Sequence, residues 1–170
     1  MTSSNELLIA TPAARCPVRP RGTVILRLYD HGRLVAMVED HNLFVNAGLP
    51  ALAALTGGDT TGEFAAAIGF GSGSAAPTVN DTGLTAPAYY KSLDSHSEDG
   101  LGSVTLNWSL GTADTGAVGL NIQELGLFAN KTTVTLPGTT QPTPLLARKT
   151  ISPILFTSSM SLSGVWTLTF

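Results

Sequence analysis

The final eleven residues alternate with period two. Met160, Leu162, Trp166, Leu168 and Phe170 fall on one side, and Ser161, Ser163, Thr167 and Thr169 on the other. Successive side chains of an extended strand point to opposite faces of a sheet, so this segment is a strand with one apolar face and one hydroxyl-bearing face. The pattern recurs upstream. Val104, Leu106, Trp108 and Leu110 form an inward row, and so do Val24, Leu26 and Leu28. Such a chain buries one side of an antiparallel sheet and wets the other with Ser and Thr.

Composition agrees with that pattern. Only 12% of the 170 residues are charged, against roughly a quarter in ordinary soluble domains. Eighteen glycines and ten prolines supply turns for many short strands and disfavour a helical bundle. The length suits one domain plus an arm and is enough to bury a core without metals or disulfides. A single cysteine, Cys16, excludes an intramolecular disulfide and disfavours a Cys-based metal site. No apolar run approaches the roughly 20 residues of a membrane-crossing helix. Leu7-Leu8-Ile9-Ala10 is short and is followed, not preceded, by arginines, so residues 1–21 do not read as a signal peptide.

The formal charge of −3 is unevenly spread. Residues 1–22 hold Arg15, Arg19 and Arg21 against Glu6, while the remainder holds six basic and eleven acidic residues. With Pro12, Pro17 and Pro20, residues 1–21 read as an extended basic arm on an acidic body. Arg15, Pro17, Arg19 and Arg21 are its candidate assembly contacts. Three arginines are too few for a nucleic-acid-binding face.

Along residues 22–170 the pattern predicts strands at 22–29, 33–38, 64–70, 87–93, 103–110, 120–128, 145–151 and 160–170. His41–Val45 reads as a short extended piece, 94–102 as a polar loop and 131–144 as a Thr/Pro-rich excursion. Asn46–Leu55 is the helix candidate, with Asn46 as its cap and Gly57-Gly58 as its stop. The expected fold is an all-β antiparallel sandwich, jelly-roll-like, with one short helix and the arm at 1–21.

Candidate chemistry is sparse. Gly69-Phe-Gly-Ser-Gly-Ser74 has the glycines of a phosphate loop but runs into Ala-Ala-Pro, with no Lys-Ser/Thr and no helix to face an anion. His31, His41 and His96 lie in no ligand or triad motif. Glu39, Asp40, Glu98 and Asp99 read as solvated charges, not as a glycosidase pair. Glu124 is different, because Leu120, Ile122, Leu125, Leu127 and Phe128 surround it, and a carboxylate buried there requires a partner. Arg148, in similarly apolar surroundings, is that partner in the simplest arrangement, a structural ion pair between neighbouring strands. No catalytic residue, metal or cofactor is expected.

Four segments in order carry a resemblance. They are His41-Asn-Leu-Phe-Val-Asn-Ala-Gly48, the stretch from Ile68-Gly-Phe-Gly-Ser-Gly to Ala76-Pro-Thr-Val-Asn-Asp-Thr-Gly-Leu84, Gln123-Glu-Leu-Gly-Leu-Phe128, and Leu146-Ala-Arg148 with Trp166–Phe170. Together they resemble small virion structural proteins of tailed bacteriophages, over residues 22–170. The resemblance implies a non-enzymatic β-sandwich located on the virion, with other virion proteins as partners. A capsid decoration (cement) protein, oligomeric and bound to the major capsid protein, fits first. A tail, baseplate or fibre-adaptor protein is the alternative, and a virion enzyme comes last.

Overall fold

The computed structural model describes residues 19–170. Nine antiparallel strands form one curled sheet, a half-barrel, in the order β4-β3-β7-β8-β2-β1-β9-β6-β5. They are β1 Arg21–Asp30, β2 Arg33–Phe44, β3 Ala65–Gly71, β4 Pro87–Ser92, β5 Ser95–Glu98, β6 Ser103–Leu110, β7 Asn121–Ala129, β8 Leu145–Leu155 and β9 Met160–Thr169. Helix α1 spans Leu49–Thr56.

Two lobes make up the sheet. The first, β2-β1-β9-β6-β5, joins the second, β4-β3-β7-β8, only where Leu43 and Phe44 at the end of β2 pair with Arg148 and Ala147 of β8. Two separate sandwich layers are thus replaced by a single sheet that bends at this narrow join. The bend folds the two inner faces together. Phe70 of β3 meets Trp108 of β6 edge-on at 5.5 Å across the core, and Val24, Leu26, Leu125, Leu127, Trp166 and Leu168 fill the same cluster.

The lobes differ in how their outer faces are treated, and the sequence shows why. Strands β1, β9 and β6 of the first lobe alternate because their outer face is wet: Thr23, Thr167 and Thr105 sit side by side across them. Strands β3 and β7 of the second lobe carry near-continuous apolar runs because loops 72–86 and 130–144 cover their outer face. That covered face holds a second cluster of Val45, Ala67, Leu84, Tyr90, Phe128 and Leu145. The 130–144 excursion also shields the edge of β4, with Tyr90 and Gly138 exchanging backbone hydrogen bonds.

Several local expectations change. The segment 94–102 is not all loop: Ser95–Glu98 is β5, paired to Val104–Asn107. Strand β2 runs unbroken through His41–Phe44. The turn His31-Gly32 joins β1 to β2 with φ values of 48° and 76°, the pair of positive angles that a two-residue hairpin turn needs. Asn46 does not cap α1. It opens a 3-10 turn, Asn46–Gly48, while its amide donates to Asn80 at 2.9 Å and its oxygen accepts from Arg19 at 2.6 Å. Pro50 occupies the first turn of α1, where its missing N–H costs nothing. Phe170, expected in the inward row, is exposed at the end of β9.

Candidate functional site

The structure brings Glu124 and Arg148 together on the outer face of the second lobe, both fully buried, with Arg148 Nη2 2.7 Å and Nε 2.9 Å from Glu124 Oε2. Register explains the contact. Gly126 lies opposite Arg148 on the β7–β8 ladder, so Glu124 is its diagonal neighbour on the same face.

The pair is the centre of a larger clamp on loop 72–86. Glu124 Oε1 accepts from the amides of Gly73 (3.1 Å) and Ala86 (2.7 Å), and Oε2 from the amide and hydroxyl of Thr85 (3.0 and 3.1 Å). Arg148 also donates to Asp81 at 2.8 Å and to the Ala75 carbonyl at 3.0 Å. Asp81 in turn accepts from the Thr78 amide and hydroxyl. The glycines of the Gly69–Ser74 stretch make this possible. A Cβ on Gly73 would lie 1.7 Å from Thr85 Oγ1 and 2.5 Å from Glu124 Oε1. The loop does cradle an anion with a backbone amide, but the anion is the chain's own carboxylate.

Burial pushes the Glu124 carboxyl up, yet the amides of Ala86 and Thr85 and the Arg148 guanidinium outweigh it and hold the pKa below the ordinary glutamate value. Burial also raises Asp81, and again the Thr78 hydroxyl and amide and Arg148 bring it below the usual aspartate range. For carboxylates depressed in the folded state, the unfolded chain binds more protons. Their stabilisation is complete above the ordinary carboxylate range and lost as pH falls through the depressed values. The melting temperature is therefore expected to hold between about pH 7 and 5 and to fall below about pH 4. A melting temperature that rises from pH 5 to pH 3 would contradict this.

Other buried ionisable groups also fasten loops. Asp114 accepts from the Gly111 amide (2.8 Å), Lys91 Nζ (3.0 Å) and Tyr89 Oη (3.1 Å), tying β4 to the loop after β6. Burial, aided by Asp114, pushes the Tyr89 phenol up to about 12. Glu63, two residues before β3, pairs with Lys131 after β7.

The arm residues divide. Arg15 and Pro17 lie outside the described residues. Arg19 bonds Asn46 of its own chain, and Arg21 belongs to β1, paired with Thr169, with its side chain exposed. His31, His41 and His96 do not converge, and no group of three metal-ligating side chains occurs among the described residues. Asp40 pairs with Lys149, and Asp99 accepts from the amides of Leu101 and Ser103. Sequence reasoning missed Asp81, Thr85 and Gly73 as members of the clamp. They sit in a polar turn and a glycine loop, and nothing in their spacing points to β7 or β8.

A concavity lies elsewhere among the described residues. An open, largely apolar groove of about 640 Å³ sits at the end of the half-barrel where β2 and β9 finish and β6 and β8 begin. Phe44, Leu52, Phe64, Leu146, Leu168 and Phe170 line it, together with the buried Glu63 and the exposed His96 and Glu98. No protein-family model matches the chain, and comparison with curated proteins and with solved structures finds no match.

Proposed function

We propose that this chain is a non-enzymatic structural subunit of a tailed-bacteriophage virion, a capsid decoration protein that binds and stabilises the major capsid protein shell. The observation that carries the reading is the use made of buried ionisable groups. Glu124, Arg148, Asp114 and Glu63 each fasten one segment to another, and each has its charge met within the fold. Chemistry on a substrate needs polar groups aimed into a cleft, whereas the end groove is largely apolar and the buried Glu63 in its lining is held by Lys131.

The segments that carry the resemblance support the same reading. They supply the β2–β8 join, the Glu124 clamp with its glycine loop, and the Trp166 row of the core. The two lobes face one another through Phe70 and Trp108 as the layers of a jelly-roll-like sandwich would. A low-charge surface suits a protein covered by neighbours.

The test is add-back. Purified chain mixed with virion particles lacking it is expected to bind at saturating stoichiometry and to raise their resistance to heat. Particles that take up none of it, or whose shells melt unchanged after saturation, would contradict a cement role.

A further inference from the structure

We propose that copies of this chain join head to tail, with the free corner of β2 in one copy seated in the apolar end groove of the next. Among the described residues, β2 from Arg33 to Met37 pairs only with β1, and its other edge carries no strand. That open stretch begins with Leu34, Val35 and Met37, which are 49%, 53% and 51% exposed. The end groove is the complementary surface, rimmed by Phe64 at 54% and Phe170 at 58% exposure.

The two surfaces lie at opposite ends of one strand. Val35 and Phe44 are separated by nine residues of β2, roughly 30 Å at strand rise. One copy therefore cannot fill its own groove, and the contact is between copies.

Charge favours the same partner. Arg33 and Arg27, the latter opposite Met37 on the ladder, flank the corner, and neither has an ion-pair partner among the described residues. Glu98 at the groove edge is exposed and likewise unpaired among the described residues. Bringing corner and groove together sets arginine against glutamate.

The competing arrangement, edge-to-edge pairing of two β2 strands, is disfavoured by the sequence. The register shift at Leu28/Tyr29 leaves Val35 as a bulge, which twists the edge. A dyad centred on the straight stretch Ala36–Asn42, the register that pairs all of it, would place Glu39 against Glu39, and like charges directly opposite are destabilising. A head-to-tail contact is heterologous and generates a ring if it closes or an open file if it does not. This inference stands apart from the virion reading and does not depend on it.

Sedimentation of the full chain with two surface variants tests it. Wild type is expected to grow in mass between about 1 and 200 µM, and Met37→Glu and Phe64→Glu are each expected to stay monomeric with wild-type melting. The equimolar mixture is decisive. Met37→Glu keeps a working groove and Phe64→Glu a working corner, so the mixture should give a dimer and nothing larger. A mixture that stays monomeric, or a wild type that stays monomeric throughout, overturns the proposal. So does either single variant assembling like wild type, as an edge-paired dimer would predict; a groove filled by residues 1–18 of the same chain would instead leave the wild type monomeric.

Discussion

Replacing Arg148 with alanine is expected to destabilise the protein by about 3–5 kcal/mol, because it leaves a fully buried carboxylate without its cation. In a domain of this size that lowers the melting temperature by roughly 6–20 °C. The loss should be local before it is global. The amides of Gly73, Thr85 and Ala86 lead the loop onto Glu124, so their hydrogen-exchange protection should fall ahead of that of the β1–β9 ladder. Glu124→Gln is expected to cost nearly as much, since its amide nitrogen would face donors. Exchanging the two charges should recover little. An arginine at position 124 cannot accept from three backbone amides, whatever sits at 148. Melting of Arg148→Ala within a degree or two of wild type would show that the clamp does not hold the loop.

Gly164→Ala is the second large effect, and it acts through packing alone. A Cβ at 164 would lie 2.0 Å from Cε2 and Cζ2 of Trp108. The indole has little room to retreat, because it is buried and packed edge-on against Phe70 of the facing lobe. The expected cost is about 3 kcal/mol, the upper end for overpacking. The clash predicts its own rescue. Trp108 Nε1 has no hydrogen-bond partner among the described residues, so Trp108→Leu removes volume without orphaning a polar group there. In that background Gly164→Ala should be near neutral, a coupling readable in a double-mutant cycle. Equal costs in both backgrounds would mean that the backbone, not Trp108, rejects the methyl.

These two sites mark what the sequence could and could not disclose. The period-two rows of β1, β6 and β9 were legible because one face of that lobe is wet, so alternation survives in Val24 and Leu26, in Leu106, Trp108 and Leu110, and in Leu162, Trp166 and Leu168. Glu124 and Arg148 stood out for a related reason, as charges set in apolar runs that have no wet face. The sheet's single curl was not legible, because it depends on the two residue pairs joining β2 to β8. Strand β5 was hidden by its composition. Ser95-His-Ser-Glu98 is exposed throughout and carries no apolar row, and only its pairing to β6 makes it a strand. Asn46 has the chemistry of a helix cap but is claimed by Arg19 and Asn80, which are distant in sequence.

The virion assignment is tested most directly by counting copies of the chain in purified particles with quantitative mass spectrometry against the major capsid protein. A decoration protein predicts hundreds of copies per virion, in a fixed ratio to the shell subunit. A handful to a few dozen would place the chain in the tail or baseplate and contradict the cement role, and its absence from purified particles would contradict a virion role altogether.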